Sequence, residues 1–178
     1  MRSERLPDGH VWLRIADPAW RDPLDPSHAA RRGGRWNPAE SFPTLYLNED
    51  LVTARLNLRL FIASWPYEPE DLRDDTGAVL VGAKLPRDQQ VADVHTRRGV
   101  AEVGLPATYP LDDGGALVGH APCQEIGRRA KERGLRGIRS RSARAPDGAG
   151  RELAWFPATA RSRARRVSVT AFEEWFWG

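Results

Sequence analysis

The chain has 178 residues, of which 40% are hydrophobic and 29% charged, and a formal net charge of +3 at pH 7. This length and the seven tryptophans indicate one folded domain over residues 1–178 and exclude a disordered chain. The single cysteine, Cys123, excludes an intrachain disulfide and a four-cysteine zinc site, and the lack of a long apolar run predicts a cytoplasmic protein without a membrane span.

The first half of the chain predicts two strands and one long helix. HVWLRI at 10–15 and TLYL at 44–47 predict strands, and the Pro-, Asp- and Gly-rich stretch over 16–34 predicts a long ordered loop. LVTARLNLRLFI at 51–62 predicts a helix with Asp50 as its N-cap. Its apolar stripe at helical spacing consists of Leu51, Ala54, Leu58, Phe61 and Ile62, and Leu56 and Leu60 predict a second covered side.

The second half predicts four strands and a helix. AVLVGAKL at 78–85 is a buried strand by its apolar run, and residues 86–120 are weakly patterned apart from a turn at 112–115. The helix at 121–134 has Pro122 in its first turn and Gly134 at its C-terminal cap. Three strands follow, at 137–142, 152–156 and 165–172. This order favours an α+β domain with a mixed sheet over a regular βαβ repeat.

The densest chemical pattern is RRGGRWNPAESFPTLYL at 31–47. Two glycines precede Arg35, which is suited to bidentate phosphate binding, and Trp36 or Tyr46 offers a face for a flat ring. The alternative is a solvated surface turn with Trp36 packed in the core. The spacing matches neither a Walker A loop nor a GxGxxG dinucleotide motif.

A second pattern is GIRSRSARAPDGAGRELAWF at 137–156, a strand, a Gly/Pro-rich loop and another strand. Ser142 is placed to bind a sugar hydroxyl, and Arg144 and Arg151 follow it in sequence. Solvated side chains at a strand end are the alternative explanation.

The two segments together resemble the RES-domain family, toxins of bacterial toxin–antitoxin pairs that degrade NAD or transfer ADP-ribose. The resemblance rests on VWLRI at 11–15, GGRWNP at 33–38, TLYL at 44–47, TARLNL at 53–58 and GIRSRSARAPDGAGRELAWFP at 137–157. It implies an ADP-ribosyltransferase-like fold with a central split mixed sheet. It also implies that NAD is a substrate or ligand and that no prosthetic group is present.

The resemblance also implies roles for individual residues. Arg35 holds the pyrophosphate, Tyr46 packs against the nicotinamide or its ribose, and Ser142 binds the ribose, with Ser140 as an alternative on the same strand face. One position departs from the family, because Asn57 stands where the family has a glutamate. A carboxylate there stabilises the oxocarbenium-like transition state, so asparagine keeps hydrogen bonds but loses the charge.

The loss of the charge is compatible with slow catalysis, a changed chemistry or pure binding, and another carboxylate is a candidate to substitute for the glutamate. Glu152 is the preferred substitute acid, because the C-terminal strands are expected to border the same cleft; Glu40, Glu49 and Asp50 are the other candidates. The alternative for Glu152 is a surface carboxylate paired with an arginine.

The remaining features do not favour another kind of site. The four histidines show no metal-binding spacing, so no metal is predicted. His120 and Cys123 are not expected to form a thiol catalytic pair. Residues 128–166 carry 13 Lys/Arg against three carboxylates, and RSRARR at 161–166 suits either a solvated strand or nucleic-acid phosphates, with direct nucleic-acid binding disfavoured. The aromatic end, AFEEWFWG, predicts either core packing or a partner surface such as a homodimer.

The sequence therefore leads to three functional hypotheses, of which a basic nucleic-acid-binding module is the least favoured. The first is a toxin-like enzyme that cleaves the nicotinamide–ribose bond of NAD, as a phosphorylase, a glycohydrolase or an ADP-ribosyltransferase. The second is a catalytically impaired relative that binds a nucleotide or a partner. The resemblance also implies a cognate antitoxin with a helix-turn-helix domain.

Overall fold

The computed structural model describes residues 1–66, 68–145 and 147–178. In this part of the chain the strands are β1 (Ser3–Arg5), β2 (Trp12–Ala16), β3 (Leu45–Asn48), β4 (Val79–Lys84), β5 (Gln90–Val94), β6 (Gly137–Arg141), β7 (Arg151–Trp155) and β8 (Arg165–Thr170). The helices are α1 (Ser27–Arg32), α2 (Leu51–Ile62), α3 (Arg97–Val103), α4 (His120–Glu132) and α5 (Phe172–Trp177), with short 3-10 turns at Pro69–Asp71 and Ala160–Ser162.

All of these strands belong to one mixed sheet in the order β1-β5-β6-β7-β3-β2-β4-β8. Only the β5–β6 pair is parallel, and the other neighbours are antiparallel. The strand order confirms the predicted α+β class with a mixed sheet.

The sheet splits between β2 and β3. Leu13 and Asn48 form the single register pair there, whereas β2 pairs with β4 at five positions and β3 pairs with β7 at four. Next to that pair, the two strands are joined by a side chain instead of by backbone hydrogen bonds. Nη1 of Arg14 donates a hydrogen bond to the carbonyl oxygen of Tyr46 at 2.8 Å. The split leaves room for a cleft at the centre of the sheet.

Three buried clusters hold the layers together. One joins α3 and α4 to the sheet through residues such as Val100, Ile126 and Ile138, and a second lies on the opposite face around Trp12, Leu153 and Trp155. The third packs α2 and α5 on β4, and its members are Ala54, Leu58, Ile62, Leu72, Leu80, Phe172, Trp175 and Phe176. Among the described residues the longest helix, α4, has 13 residues, too few to reach across a bilayer.

The most strongly patterned elements agree with the sequence. Helix α2 has the predicted bounds, and Asp50 caps it by accepting a hydrogen bond from the backbone N–H of Thr53 at 2.7 Å. The aromatic end packs into the third cluster, with Trp177 at its exposed edge. The RSRARR segment runs into β8, an edge strand whose side chains are largely exposed, as the solvated-strand interpretation predicts.

The weakly patterned regions hold more structure than the sequence suggested. The stretch over 16–34 contains α1, and residues 86–120 contain β5 and α3. Strand β5 gave no alternating signal because Val91, Ala92 and Val94 are all buried, so both faces of the strand are covered. The last strand is shorter than predicted, because Phe172 begins α5.

The predicted apolar stripe of α2 includes one residue, Phe61, that the structure does not bury. Phe61 was expected to be buried, but 57% of it is exposed, and Leu60 is exposed as well, so the predicted second covered side is also absent at that position. The side chains that the helix buries are Thr53, Ala54, Leu58 and Ile62.

Asp93 organises the connection from β5 to α3. Its carboxylate accepts hydrogen bonds from the hydroxyl and N–H of Thr96 and from the N–H of His95, and it pairs with Arg2 at 3.1 Å. Burial by itself would raise the pKa of Asp93, but the hydrogen bonds from Thr96 and His95 and the charge of His95 outweigh it, so the pKa lies below its usual value.

Replacing this carboxylate is expected to destabilise the fold. We predict that Asp93→Ala lowers the free energy of unfolding by about 2–4 kcal/mol, because several partly buried donors lose their buried acceptor. A depressed pKa contributes stability above the unfolded value of about 3.9 and loses it as the pH falls through the folded value. Urea unfolding at pH 7 and at pH 3 measures both effects. The exposed Asp113→Ala is the control, and an equal loss in both variants would contradict the assignment.

Candidate functional site

A cleft with two adjoining lobes opens at the split of the sheet. The aromatic lobe has a volume of about 690 Å³. Residues that line this lobe alone include Asp17, Trp20, Trp65, Leu72 and Asp75. The arginine lobe has a volume of about 730 Å³. Residues that line this lobe alone include His28, Gly33, Gly34, Arg35 and His120. Six residues line both lobes and mark the boundary between them: Arg14, Tyr46, Asn57, Phe61, Arg144 and Glu152.

Asn57, Ser142 and Glu152 form a hydrogen-bonded cluster at this boundary. The Ser142 hydroxyl donates to Oε1 of Glu152 at 2.6 Å, and Nδ2 of Asn57 donates to the same oxygen at 2.8 Å. Nδ2 of Asn57 also donates to Oδ1 of Asn48, and the Ser142 hydroxyl lies 3.3 Å from Oδ1 of Asn57. The cluster therefore presents one carboxylate whose position is fixed by two donors.

Three neighbouring strands and one helix bring this cluster together. Glu152 on β7 is paired with Asn48 on β3 and with Ser140 on β6. Ser142 follows directly after β6, and Asn57 reaches the strands from the second turn of α2. The sequence predicted Glu152 to border the same cleft as Ser142, and the structure places the two side chains in contact.

Ser140 is the alternative that the structure does not place in the cleft. It is fully buried, lines neither lobe, and its hydroxyl lacks a hydrogen-bond partner among the described residues. Ser142 is equally buried and also lines neither lobe, but its hydroxyl donates to Glu152, which lines both.

Arg35 lies in the arginine lobe on a loop that Tyr46 holds in place. Nη1 of Arg35 donates to the carbonyl oxygen of Val118 at 2.8 Å, which fixes the guanidinium between the loop and α4. The Tyr46 hydroxyl donates to Oδ1 of Asn37 at 2.7 Å and accepts from the N–H of Trp36 at 2.9 Å. Burial raises the pKa of Tyr46, so its hydroxyl stays protonated and keeps this tie.

Trp36 does not face the cleft. Its indole is 1% exposed and packs in the core cluster with Tyr109, at 6.1 Å between ring centroids. It lines neither lobe, so the expectation that Trp36 contacts a ligand is corrected to the core-packing alternative. The tryptophan instead anchors the loop that carries Arg35.

Gly127 allows α4 to pack directly against that loop. A Cβ atom at this position would lie 1.7 Å from the carbonyl oxygen of Trp36. We predict that Gly127→Ala destabilises the protein by about 1–3 kcal/mol, although alanine normally favours a helix, because the helix and the loop must move apart. Thermal unfolding measures the loss. Gly119→Ala is the control, since its Cβ meets nothing within 4 Å, and equal melting temperatures for the two variants would refute the prediction.

Arg14 is the site residue that sequence reasoning missed. It lines both lobes, and its guanidinium lies 5.8 Å from the ring centroid of Trp20. Burial lowers the pKa of Arg14, and its Nε atom is buried without a hydrogen-bond partner in the described residues. The available signal was a single arginine inside the apolar strand VWLRI, a position where a charge needs a specific partner.

The two arginines after Ser142 differ in position. Arg144 is exposed and lines both lobes, and its backbone N–H donates to the Ser142 hydroxyl oxygen at 3.1 Å. Arg151 turns back onto its own loop, where it donates to the carbonyl oxygens of Gly148, Ala149 and Gly150. Of these two arginines, only Arg144 lines the cleft and is placed to meet an anion there.

Away from the boundary cluster, the structure argues against a metal site at one set of side chains and against a nucleophilic thiol at Cys123. Glu4, Asp93 and His95 bring potential metal-ligand atoms within 4.8 Å of one another, but Arg139 and Arg2 pair with the two carboxylates. Cys123 is buried, and burial raises the pKa of its thiol, which is the opposite of what a nucleophile needs.

Comparison with known proteins finds a solved structure with a similar fold and a family model that matches the chain. The RES domain model matches residues 5–177. The crystal structure of the M. tuberculosis MbcT–MbcA toxin–antitoxin complex contains a similar chain, with a TM-score of 0.76 and 20% sequence identity, covering 99% of this chain and 92% of that one. No curated protein matches the sequence. Because the family model spans nearly the whole length, the chain belongs to the RES domain family.

Proposed function

We propose that this protein is a toxin-like enzyme that cleaves the nicotinamide–ribose bond of NAD. The observation that carries the proposal is the carboxylate of Glu152, held by Ser142 and Asn57 at the boundary of the two lobes. A lobe with Arg35 on one side and an aromatic lobe on the other give a dinucleotide two chemically different ends to bind.

Glu152 is assigned the role of the missing family glutamate. When the bond from the ribose C1′ to the ring nitrogen breaks, its electron pair leaves with nicotinamide and positive charge develops on the ribose. A fixed carboxylate stabilises that charge without reorganisation. Both donors converge on Oε1, so we assign Oε2 to the ribose.

Asn57 fits this assignment because of its distance from Glu152. With Nδ2 of Asn57 at 2.8 Å from the carboxylate, a glutamate at position 57 would face a second negative charge. The amide instead donates a hydrogen bond to the carboxylate. In this assignment the catalytic carboxylate is supplied by Glu152 on β7 instead of by a glutamate on α2, and Asn57 is a positioning residue.

The remaining cleft residues are assigned to the phosphates and the ribose. Arg35 and Arg14 supply positive charge for the pyrophosphate, and Arg144 adds an exposed positive charge. Tyr46 meets the nicotinamide ribose, and Ser142, which lines neither lobe, acts through Glu152, to which its hydroxyl donates. The ribosyl cation is then captured by phosphate, water or a protein side chain.

Arg35→Ala tests the phosphate assignment. We expect kcat/KM for NAD cleavage to fall roughly ten- to one-hundredfold, because a charged hydrogen bond to phosphate contributes about 1.5–3 kcal/mol. Chromatography of released nicotinamide measures it. Arg32→Ala is the matched control, because Arg32 is exposed and lines neither lobe. Equal rates in both variants would overturn the role of Arg35.

A second candidate function is a binding relative without turnover, and Asn57 favours it because the family glutamate is absent. It predicts that NAD binds, with an affinity that Arg35→Ala weakens, while no nicotinamide is released. Calorimetric titration with NAD beside the chromatography separates the two functions.

We also propose a protein partner that covers the cleft, because the similar MbcT chain was solved in a toxin–antitoxin complex with MbcA. Co-expression with the product of the adjacent reading frame, followed by co-purification, tests this. A helix-turn-helix antitoxin that suppresses nicotinamide release would support it, and release unaffected by that product would count against it.

A further inference from the structure

A third depression in the surface lies apart from both lobes of the cleft. It has a volume of about 350 Å³ and lies between the loop after β2 and the segment that leads into β8. We call it the edge pocket, because β8 is the last strand of the sheet. None of its lining residues lines either lobe, and they are Arg21, Asp22, Pro23, Leu24, Arg163, Ala164, Arg165 and Arg166.

The four arginines of the edge pocket are exposed, and their side chains have no hydrogen bond or ion pair with another described residue. Many other arginines of this chain are engaged. Arg55 donates to two carbonyl oxygens, and Arg139 donates to the carboxylates of Glu4 and Glu49. The guanidinium groups of the edge pocket are therefore free to bind a ligand without breaking an internal contact.

The carboxylates near these arginines do not balance their charge. Oδ1 of Asp22 accepts the backbone N–H of Leu24 at 3.0 Å and caps its own turn. Hydrogen bonds from Ser27 are the main cause of the lowered pKa of Asp25, and the charge of Arg163 adds a smaller effect. With both carboxylates counted against the four arginines, two positive charges remain in excess.

Both walls of the edge pocket are held by the fold. Leu24 is 8% exposed and belongs to the second buried cluster, against which Ala164 also packs. Nε1 of Trp155 donates to the carbonyl oxygen of Ser162 at 2.9 Å, which fixes the chain just before β8. The backbone that carries the arginines is therefore positioned before any ligand binds.

The strand pairing adds further positive charge at this edge. Arg166 is paired with Ala83, a member of the second buried cluster, so the two lie on the sheet face that also carries Leu24. Arg165 is paired with Lys84 on the other face. Two cations opposite each other destabilise a sheet, and a bound anion would offset that repulsion.

Phosphate groups are the anions that suit this pocket. A guanidinium binds two phosphate oxygens through parallel hydrogen bonds, so neighbouring arginines can hold neighbouring phosphates. The lining contains no aromatic side chain among the described residues, so a base would have no ring to stack on. Binding is therefore expected to depend on the phosphates and not on the bases that they carry.

We propose that the edge pocket is a second anion site, which binds neighbouring phosphate groups of a polyanion through Arg21, Arg163 and Arg166. The site is independent of NAD cleavage, because it shares no residue with the cleft. It gives a role to the basic segment at 161–166, which the proposed enzyme does not use. The phosphates belong either to a free polyphosphate or to a nucleic-acid backbone, and the test distinguishes these sources.

Calorimetric titrations with inorganic tripolyphosphate and with a short oligothymidylate test the site. We expect the wild type to bind these phosphate probes, and the tighter ligand identifies the source. The triple variant Arg21→Gln/Arg163→Gln/Arg166→Gln should weaken binding at least about tenfold and reduce the salt dependence of oligothymidylate binding. Its melting temperature should change little, because the three side chains make no internal hydrogen bond or ion pair.

The matched control is Arg98→Gln/Arg128→Gln/Arg133→Gln, which removes the same charge from exposed arginines outside the edge pocket and both lobes. It should bind both probes as the wild type does, and Arg35→Ala should retain the binding that the edge-pocket variant loses. The proposal is overturned if the control triple loses as much affinity, if Arg35→Ala alone abolishes binding, or if neither probe binds the wild type. An oligoglutamate of equal charge that binds as tightly as the phosphate probes would also overturn it, because the edge would then be a surface for acidic peptides.

Discussion

Glu152→Gln is expected to lower kcat for nicotinamide release by about 10²–10³-fold, because it removes the fixed negative charge that stabilises the ribosyl cation. The substitution is nearly isosteric. Glutamine retains an acceptor for Ser142 and Asn57, so the cluster and the melting temperature should change little. Steady-state chromatography of nicotinamide gives kcat and KM separately.

Two features make that result specific. The loss should fall on kcat with little change in KM, because the charge is needed in the transition state more than in the bound substrate. Glu132→Gln is the control, because Glu132 is an exposed carboxylate on α4 that pairs with Arg128. Full activity in Glu152→Gln would remove Glu152 from the mechanism.

The second large effect is expected from moving the acid back to the helix. Asn57→Glu alone places two carboxylates about as close as the present 2.8 Å contact, so one of them should keep a proton near neutral pH. We expect a loss of stability of about 1–3 kcal/mol, because Glu152 also loses a hydrogen-bond donor. Activity should become pH-dependent around the raised pKa of the pair.

The double variant Asn57→Glu/Glu152→Gln is the decisive comparison. It restores one carboxylate and one amide with their elements exchanged, and we expect at least tenfold more activity than in either single variant. Such coupling would show that the two positions share one catalytic charge. Purely additive losses in the double-mutant cycle would mean that they act independently.

Motifs supplied most of the candidate site residues, and their roles in the site are proposals. Arg35, Tyr46 and Ser142 came from two segments in a recognisable order, and Glu152 followed from the expectation that the last strands border the cleft. Arg14 was missed because a lone arginine in a strand has no motif, and its role depends on the split between β2 and β3, which no local pattern reveals.

The errors have a common physical origin in tertiary packing. Trp36 was offered as a ligand face because it follows Arg35, but α4 and Tyr109 cover its indole. Phe61 was placed in the core because it continues a helical stripe, but the opening of the sheet leaves its ring at the cleft mouth. Local periodicity identified the helix α2 correctly. It could not show that the side of α2 carrying Phe61 faces the cleft, with no other element packed over that ring.

The most direct test of the account is a time course of the wild-type protein with NAD at near-physiological phosphate, analysed by mass spectrometry for both halves of the substrate. Cleavage at the nicotinamide–ribose bond predicts free nicotinamide and an equal amount of ADP-ribose, its phosphate ester or an ADP-ribosylated protein, with Glu152→Gln nearly inactive. Intact NAD after prolonged incubation, with NAD binding still measurable by calorimetry, would contradict enzymatic cleavage and leave the binding relative as the function of this cleft.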